Sequence, residues 1–575
     1  MESLSSTVRA HNLNTLNESR FDVLVIGGGV TGAGVALDAV ARGYAVALVE
    51  KADFASGTSS KSTKLVHGGI RYLPNFDFAL VHEALVERGL LLQNAPFLVD
   101  PIGFVLPIYE GDRHPVGMPF TMPGGIGLNH LLDLGLAMYD GLAGRRNISR
   151  HRHLKREEVL KLAPSLVQRG LKEGFMYYDA QTHDARLTLT LIRTAARSGA
   201  IIANYAEVTA FLIEHGKICG ARVRDVIGGQ EVTVRARHVV NATGVFAERI
   251  EALTGEEPQV HVEPSKGVHL VLEREKLKLG DHAIVLPETE DRRILFVVPW
   301  QSRAIFGTTD TGSGDLDHPT ASPQDITYLL KYLNRYLDVY VSESDIISVY
   351  AGYRPLVKPR SGSRLSTAQL SRTHVVLQGA SGLVTIVGGK LTTYRRMAQD
   401  TVDVLSRRDG MALVHPTESL PLLGSAAWAV RQPEMEKRAS ALGLPVDIAL
   451  HLGHAYGTEA NAVLDLVEQD AALAARLVAD LPYIKAEVVY ACRYEMAMQP
   501  HDVLARRTSI ILEDRRRGLD AVNEVVALMA RELHWSSEQQ QFMARAYCDM
   551  LEQQVLTKEA GQVNPSSVTG GPAGL

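Results

Sequence analysis

The pattern of apolar and polar residues predicts a β-α-β unit near the start of the chain. Residues 21–26 form an apolar, β-rich run that ends in a cluster of glycines, and residues 36–40 then look helical. A second β-rich run, residues 45–49, ends at Glu50. This order predicts a strand, a tight glycine turn, a helix and a second strand.

Strand-like runs recur through the middle of the chain. Residues 218–227 and 231–240 are two such runs joined by Gly228-Gly229, a pair suited to a tight turn. Within residues 263–353, further runs are separated by polar loops and one helical stretch. That pattern indicates an antiparallel sheet carrying a pocket.

Both ends of the chain differ in character from its centre. Residues 1–20 mix charged, amide and apolar residues without the apolar core of a secretory signal, and we expect a flexible lead-in. After a boundary marked by proline and glycine, the pattern becomes helical, and we expect a helical domain over residues 416–556. Residues 557–575 end in a stretch without periodicity or bulky apolar residues, which predicts a disordered tail.

Composition and charge exclude several classes of protein. With 46% hydrophobic and 22% charged residues among 575, the chain has an ordinary globular composition. Lys and Arg number 60 against 65 Asp and Glu, a net charge of −5, which argues against a protein that coats nucleic acid. Cys219, Cys492 and Cys548 are isolated, which excludes a cysteine-rich zinc site and suits a reducing compartment. The histidines lack metal-ligand spacing with a carboxylate partner, and we expect no metal site.

One apolar stretch, residues 124–144, bears on membrane association. It is interrupted by polar residues at Asn129, His130, Asp133 and Asp140, and it falls short of the ~20 apolar residues needed to cross a bilayer. We therefore expect no membrane span. The stretch can form a buried helix or lie on a membrane surface, and the pattern leaves both open.

The glycine turn carries the signature of a dinucleotide site. Gly27-x-Gly29-x-x-Gly32 follows a strand, precedes a helix and is followed about 20 residues later by an acidic residue. Glycines let backbone amides approach a pyrophosphate at a helix N-terminus, and a carboxylate can accept hydrogen bonds from ribose hydroxyls. The expected cofactor contacts are Gly27, Gly28, Gly29, Thr31, Gly32 and Glu50. The fingerprint alone does not distinguish NAD from FAD.

Several blocks of sequence go beyond this fingerprint. They are Thr58-Ser-Ser-Lys-Ser-Thr-Lys-Leu-Val-His-Gly-Gly-Ile-Arg-Tyr-Leu73, Asp184-Ala-Arg-Leu187, Val239-Val-Asn-Ala-Thr-Gly244, Lys266-Gly-Val-His269, Gly307-Thr-Thr-Asp310, Gly352-Tyr-Arg-Pro-Leu356 and Gly388-Gly-Lys-Leu-Thr-Thr-Tyr-Arg395. Over most of its length the chain thus resembles the FAD-dependent, quinone-linked glycerol-3-phosphate dehydrogenases of the D-amino-acid-oxidase-like flavoprotein group.

The resemblance implies an α/β fold with a Rossmann-type FAD-binding domain, an antiparallel-sheet substrate domain and an all-helical C-terminal domain. The FAD-binding domain is expected over residues 21–415. The substrate domain is interleaved with it, at about residues 85–180 and 263–355. Residues 384–387 and the glycines that follow would return the chain to its first domain.

The resemblance also implies FAD contacts beyond the glycine turn. Hydroxyl and amide donors near residue 60 would bind the FAD phosphates, Val208 would meet the adenine, and two later glycine-containing segments would lie near the flavin. Gly68 and Gly69 can alternatively serve only a tight chain path. These expected contacts are Thr58, Ser59, Ser60, Lys64, His67, Gly68, Gly69, Val208, Ala242, Thr243, Gly244, Gly388, Gly389 and Lys390.

Oxidising a secondary alcohol with a flavin requires a hydride acceptor, a base for the hydroxyl proton and fixed cations for a substrate phosphate. By resemblance, Arg354, Arg372 and Lys390 fall where the family holds the phosphate. Arg71, Tyr72 and His269 fall beside the reacting carbon, with His269 as the preferred base. Two alternatives stay open: His269 can be a histidine satisfied within the sheet, and Arg71 can position the flavin or pair with a carboxylate.

The function implied by the resemblance is oxidation of sn-glycerol 3-phosphate to dihydroxyacetone phosphate, with electrons passed to a membrane quinone. The protein would then bind peripherally to the cytoplasmic face of the membrane, and the family suggests a homodimer. The alternatives are an oxidase that uses O₂ and releases H₂O₂, an NAD-linked dehydrogenase, and a non-catalytic flavin-bound interaction module.

Overall fold

The computed structural model describes residues 4–112, 128–259, 261–286, 289, 293–312, 314–358 and 373–560. Within them the chain forms two β-sheets and many helices. The strands are β1 (Arg20–Ile26), β2 (Val46–Val49), β3 (Leu65–Val66), β4 (Val99–Tyr109), β5 (Arg152–Lys155), β6 (Leu171–Thr182), β7 (Ile201–Ala203), β8 (Ala206–Glu214), β9 (Lys217–Asp225), β10 (Glu231–Asn241), β11 (Val262–Glu273), β12 (Ala283–Leu286), β13 (Leu295–Trp300), β14 (Arg303–Gly307), β15 (Ile346–Val357), β16 (Val375–Gln378) and β17 (Val384–Val387).

The helices connect and cover these strands. They are α1 (Ser6–Glu18), α2 (Val30–Ala41), α3 (Phe78–Asn94), α4 (Leu128–Ala143), α5 (Arg156–Leu162), α6 (Asp184–Arg197), α7 (Ala247–Ala252), α8 (Pro323–Tyr336), α9 (Tyr394–Arg408), α10 (Trp428–Ala441), α11 (Val446–Tyr456), α12 (Ala460–Gln469), α13 (Lys485–Tyr494), α14 (Pro500–Asp502), α15 (Ile510–Glu513), α16 (Val522–Leu533) and α17 (Ser537–Ala560). Short 3₁₀ helices lie at Thr58–Ser60, Ile70–Asn75 and Leu391–Thr393, and a π-helix lies at Val503–Arg507.

The first sheet has a parallel centre. Strands β17, β10, β1, β2 and β7 lie side by side in that order, and β16, β9 and β8 add antiparallel strands. The register pairs Ile26, at the end of β1, with Asn241 of β10 and Val49 of β2. The carboxyl ends of these parallel strands therefore meet at one edge, where ligands bind in open α/β sheets. The expected Rossmann-type domain is confirmed.

The second sheet is almost entirely antiparallel. Its order is β15-β11-β14-β13-β12-β4-β6-β3, with β5 paired to β6, and β4 and β12 form its parallel pair. The register places His269 of β11 between Gly307 of β14 and Tyr350 of β15. Arg354 lies opposite Ser265, two strand repeats from His269. Because side chains alternate across a sheet, Ser265 and His269 share a face.

The apolar core joins the C-terminal helices to the first sheet. Val23 and Val25 face one core and Leu24 and Ile26 another, so β1 is buried on both faces as expected for a central parallel strand. The core that includes Val23 continues through α2, α6 and α9 into C-terminal helices such as α13 and α16. A separate core packs α5 and α8 against the second sheet. The expected helical C-terminal region is therefore part of the main body of the molecule.

The expectation of a flexible lead-in over residues 1–20 is wrong for residues 6–20, and residues 1–3 lie outside the described part. Residues Ser6–Glu18 form helix α1, whose N-cap Ser5 accepts a hydrogen bond from the Val8 amide. The buried positions follow helical spacing, but two of them are polar, which hid the pattern: Arg9, Asn12, Leu13 and Leu16. Arg9 donates to Asp225 at 2.6 Å, and Asn12 donates to the Ile202 carbonyl at 2.8 Å. These bonds fix α1 against the first sheet.

The expected tail over residues 557–575 is also shorter than predicted. Helix α17 extends to Ala560, because residues 557–560 include good helix formers such as Lys558 and Glu559. Residues 561–575 lie outside the described part.

Residues 128–143 of the apolar stretch form helix α4. Leu136 and Tyr139 on its inner face are buried, while Leu134 is 58% and Met138 38% exposed. Residues 124–127 of the stretch lie outside the described part. Among the described helices, none combines the length and the apolar character that a membrane crossing requires.

Candidate active site

The glycine turn between β1 and α2 is closely packed. Gly27 has a φ of +112°, in the left-handed region that favours glycine, and a Cβ there would lie 2.7 Å from the Ala242 carbonyl oxygen. A Cβ at Gly32 would overlap the Gly27 carbonyl oxygen. Gly29 is the N-cap of α2 and supplies no side-chain cap. The turn itself thus places no side chain over the N-terminus of α2, the kind of helix end that binds phosphates.

Glu50 closes the turn from the end of β2. Its carboxylate accepts hydrogen bonds from the Gly28 amide at 2.6 Å and the Ala52 amide at 2.9 Å. Burial raises the pKa of Glu50, and the two amide bonds oppose that effect. The Ser59 hydroxyl accepts a bond from the Val30 amide at 2.9 Å. Glycine cradle, helix end and acidic residue together fit a dinucleotide.

The other predicted FAD contacts from the first sheet lie near the same edge. Val208 is buried on β8, close to Glu50, whose carbonyl accepts a bond from the Ala206 amide at 2.7 Å. Ala242 follows β10, and its amide donates to the Ile26 carbonyl at 2.9 Å. Thr243 bonds through its hydroxyl to Asn241 at 2.7 Å. Their contacts with FAD stay predictions.

Gly244, Gly388 and Gly389 adopt positive φ values of 60°, 85° and 80°. A Cβ at Gly388 would lie 2.9 Å from the Thr373 carbonyl and 3.3 Å from Val357, at the end of β15. The turn after β17 therefore brings the first sheet against the strand that carries Arg354. Thr31 lies in the first turn of α2.

One segment, residues 58–72, touches most of the predicted site. The Thr58 hydroxyl donates to the Tyr353 carbonyl at 2.7 Å, and the Tyr350 hydroxyl donates to the Ser62 carbonyl at 2.9 Å. The His67 amide donates to the Thr392 hydroxyl at 3.1 Å. The segment therefore ties β15 of the second sheet to the turn after β17 of the first.

His269 is enclosed within this region. It is 2% exposed, its ring stacks on Tyr350 with centroids 4.8 Å apart, and its Nε2 is hydrogen-bonded to the Thr63 hydroxyl at 2.9 Å. Burial lowers the pKa of His269 well below its ordinary value, and the nearby cations of Arg354 and Lys64 lower it further. The ring is therefore neutral at neutral pH. A neutral imidazole can accept a proton.

Lys64 is held by protein groups. Its amine pairs with Asp184 at 2.6 Å, and both side chains are buried. Asp184 also accepts bonds from the Ser62 amide and hydroxyl, at 3.0 and 2.8 Å. The expected contact of Lys64 with FAD stays a prediction, and what the structure gives Lys64 is an internal ion pair that shapes residues 58–64.

Arg354 is half-buried beside residues 308–309. Its Nη2 donates to the Thr308 hydroxyl at 3.0 Å, and its Nη1 donates to the Thr309 carbonyl at 3.3 Å and the Ser265 hydroxyl at 3.4 Å. A Cβ at Gly267 would lie 2.7 Å from the guanidinium, so glycine is needed for it to cross β11. Arg354 and His269 thus occupy one face of the second sheet.

Tyr72 and Lys390 come together from distant parts of the sequence. The Lys390 amine lies 4.2 Å from the centroid of the Tyr72 ring, a cation–π geometry. Gly69 has a φ of +77°, and a Cβ there would lie 2.6 Å from Tyr72. The Gly68 amide donates to the Tyr139 hydroxyl at 2.9 Å and to Asp179 at 3.1 Å. Gly69 is thus crowded by Tyr72 and Gly68 by Tyr139 and Leu85, and their contacts with FAD stay predictions.

Two predicted residues cannot be placed. Arg71 lies in the 3₁₀ helix Ile70–Asn75, but its side chain is outside the described part, and so is all of Arg372. Within the described ranges, no cluster of three or more His, Cys, Asp or Glu side chains is arranged to hold a metal ion.

Comparison with known proteins agrees with this geometry. Residues 22–395 match the model of a family described as FAD dependent oxidoreductase, and residues 415–540 match one described as the C-terminal domain of alpha-glycerophosphate oxidase. Glycerol-3-phosphate dehydrogenase 2 of Mycobacterium tuberculosis is 39% identical over 559 residues, covering 96% of this chain and 92% of that protein. The chain belongs to the family of FAD-dependent glycerol-3-phosphate dehydrogenases.

Other members of the family match over similar lengths. The human mitochondrial glycerol-3-phosphate dehydrogenase is 38% identical over 558 residues, which cover 92% of this chain and 73% of the human protein. A crystal structure of the glycerol-3-phosphate dehydrogenase from Bacillus halodurans complexed with FAD matches with a TM-score of 0.77 and 27% identity, covering 98% and 100% of the two chains. FAD as the cofactor is thereby confirmed.

Sequence reasoning missed several residues of this family member's site. Thr63, Asp184 and Thr308 contact the predicted residues His269, Lys64 and Arg354. All three lie inside the sequence blocks that carried the resemblance, so the signal was present. Their partners were not readable, because the contacts span 206, 120 and 46 residues of sequence.

Proposed function

We propose that this protein oxidises sn-glycerol 3-phosphate to dihydroxyacetone phosphate. The observation that carries the proposal is one face of the second sheet, where the half-buried cation of Arg354 lies two strand repeats from neutral, buried His269. A secondary alcohol that carries a phosphate ester offers its phosphate to Arg354 and its hydroxyl to His269. The names of the relatives support the same substrate.

Arg354 and Lys390 would bind the substrate phosphate, together with Arg372, because guanidinium and ammonium groups form charge-assisted bonds to phosphate oxygens. His269 would accept the proton of the secondary hydroxyl. The cation of Arg354 lowers the pKa of His269, so a dianion bound to Arg354 would offset that effect and make His269 a stronger base as substrate binds. Bound FAD supplies the acceptor, at its N5 atom, for the hydride that leaves the same carbon.

FAD would be held along the edge of the first sheet. The amide end of α2 would bind its pyrophosphate, and Glu50 would accept bonds from its ribose. Residues of the later glycine turns, Ala242–Gly244 and Gly388–Lys390, would lie near the flavin. This assignment is supported by the packing that forbids a Cβ at Gly27, Gly32 or Gly388.

The experiment that tests the substrate is an anaerobic visible spectrum of the purified holoenzyme. Addition of sn-glycerol 3-phosphate should bleach the flavin band, whereas glycerol, which lacks the phosphate, should leave it unchanged. A flavin band that sn-glycerol 3-phosphate leaves unbleached would overturn the substrate and favour a non-catalytic flavin-bound module.

For the electron acceptor, we propose a quinone at the cytoplasmic face of a membrane, to which the protein binds peripherally. The support is an apolar surface beside the 3₁₀ helix Ile70–Asn75, which carries Tyr72. Phe76, 76% exposed, follows the 3₁₀ helix that carries Tyr72 and packs against α4, and Leu134 and Met138 are exposed on α4. An apolar acceptor needs such a surface. A homodimer stays a prediction that size-exclusion chromatography can test.

The acceptor is tested by substituting that surface. Leu134→Glu combined with Met138→Glu should slow reduction of a quinone presented in lipid vesicles while anaerobic bleaching by sn-glycerol 3-phosphate stays normal. Leu450→Glu, an exposed leucine on α11, is the matched control. Fast reoxidation of the reduced flavin by O₂, with release of H₂O₂, would instead favour an oxidase. The oxidase is the second candidate because the C-terminal region matches a domain described from an oxidase.

A further inference from the structure

A network of ion pairs is buried between the loop after β2 and the C-terminal helices. Asp53, 1% exposed, accepts a bond from Arg506 at 2.5 Å and two bonds from Arg507, one of them at 2.9 Å. Asn204 adds a bond to the same carboxylate at 3.1 Å. The two arginines lie in the π-helix Val503–Arg507, a rare geometry that often marks functional sites.

The charges of this network balance. Arg506 also pairs with Asp502 at 2.7 Å, Arg507 donates to the Glu495 carbonyl at 2.6 Å, and Glu495 pairs with Arg186 at 2.8 Å. Arg193 lies 4.0 Å from Glu495 and pairs with Glu459 at 3.0 Å, so the network sets four carboxylates against four guanidinium groups. Burial alone would raise the pKa of Asp53, but the charges of Arg507 and Arg506 lower it to about 2. Removing any one member leaves a buried charge without its partner, which is costly.

Asp53 is directly connected to the glycine turn. The next two residues pack on that turn: the Phe54 ring would lie 2.8 Å from a Cβ at Gly28, and the Ala55 amide donates to the Gly28 carbonyl at 3.0 Å. Four residues later, Ser59 accepts the bond from the first amide of α2. Ala55 has a φ of +60°, which is strained for alanine. The loop therefore depends on its surroundings to stay closed over the turn.

We propose that the C-terminal helices control the affinity of the protein for FAD by holding the loop of residues 53–60 through Asp53. Asp53, Arg506 and Arg507 are positioning residues, since they act through Phe54, Ala55 and Ser59 on the phosphate-binding end of α2. A loop held in its binding conformation loses less entropy when FAD binds, and it releases FAD more slowly. The proposal does not depend on the substrate.

The test compares FAD release from holoenzyme variants, followed by the rise in flavin fluorescence on dilution. Asp53→Asn should weaken FAD binding by about tenfold or more. At saturating FAD, kcat and KM should stay within about twofold of wild type, because bound FAD restores the closed loop and with it the bond of Thr58 to Tyr353 beside Arg354. Arg507→Lys is the second variant, for use if Asp53→Asn fails to fold. It keeps the positive charge but loses the paired bonds to Asp53, and it should weaken FAD binding by a smaller factor.

The matched control is Asp403→Asn. It breaks a buried pair between Arg42 and Asp403, at 2.6 Å, at the opposite end of α2 from the glycine turn. This variant should lose thermal stability and keep wild-type FAD affinity. The proposal is overturned if folded Asp53→Asn or Arg507→Lys retains FAD as tightly as wild type. It is equally overturned if Asp403→Asn releases FAD as fast as they do, because the faster release would then reflect a general loss of stability.

Discussion

Arg354 owes its position to short polar neighbours on β11 and after β14. Because charge-assisted bonds to a phosphate contribute about 1.5–3 kcal/mol each, Arg354→Ala should raise the KM for sn-glycerol 3-phosphate by roughly 10–100-fold. Steady-state reduction of an artificial electron acceptor measures this. Arg152→Ala, at an exposed surface pair with Glu158, should leave KM unchanged. An unchanged KM in Arg354→Ala would remove Arg354 from the site.

Burial and the nearby cations of Arg354 and Lys64 favour the neutral form of His269, and its Nε2 is hydrogen-bonded to the Thr63 hydroxyl. His269→Gln should lower kcat by roughly 10²–10⁴ while FAD stays bound, since general-base catalysis contributes about that much. In the wild type, kcat/KM, which reports the substrate-free enzyme, should show no loss from this group between pH 8 and its ordinary value of 6.5, because the pKa of His269 in the substrate-free protein lies below 6.5. Rapid-mixing measurements of flavin bleaching test both. A His269→Gln variant of normal rate would return His269 to a structural role in the sheet.

Among the elements, the β1–α2 turn tolerates the least change. A Cβ at Gly32 would overlap the Gly27 carbonyl oxygen, a backbone atom that no side-chain rotation can move away. Gly32→Ala should therefore abolish FAD binding, seen as purified protein without the flavin absorbance. Gly141→Ala in α4, where nothing lies within 4 Å of the added Cβ, should purify with a full complement of FAD. A yellow Gly32→Ala protein would show that the turn can shift.

The same element shows what a sequence can predict. The glycine spacing, the strand before it and Glu50 lie within one short stretch, so their geometry follows from local rules. The network around Asp53 follows no such rule, because Asp53 and Arg507 are 454 residues apart and each alone is an ordinary charged residue. The residues of Gly307–Asp310 were recognised as a block, but that Thr308 bonds to Arg354 depends on the pairing of β11 with β14 and β15.

Helix α1 was mispredicted because it buries an arginine and an asparagine in place of apolar residues. Arg9→Ala should lower the free energy of unfolding by about 3–5 kcal/mol, because it leaves Asp225 buried without its charge partner. Urea unfolding measures the difference. Arg235→Ala, which breaks an exposed pair with Glu214, should cost no more than about 1 kcal/mol. Equal effects in the two variants would mean that α1 contributes little to stability.

At the scale of the whole molecule, the C-terminal helices are joined to the first sheet by polar contacts as well as by the shared core. His183 is one such contact. It caps α6 by accepting a bond from the Arg186 amide through Nδ1 at 3.2 Å, and its Nε2 is bonded to the Ser509 hydroxyl at 2.6 Å. With Nδ1 as acceptor, the neutral ring carries its proton on Nε2 and donates it to Ser509. Protonating Nδ1 would therefore break the cap of α6.

This arrangement makes stability depend on pH in a defined direction. Burial lowers the pKa of His183 well below 6.5, and the cations of Lys64 and Arg186 lower it further. Above pH 6.5 the residue is neutral in both states and adds no pH dependence. Below pH 6.5 the unfolded chain takes up a proton that the folded protein does not, so the free energy of unfolding falls by up to about 1.4 kcal/mol per pH unit.

Urea unfolding between pH 5 and 8 measures this fall. His183→Gln should reduce the slope of the free energy of unfolding against pH below pH 6.5 by about that amount, whereas His318→Gln, in an exposed turn, should not. An unchanged slope in His183→Gln would mean that His183 is already protonated in the folded protein, and α6 would then need another cap.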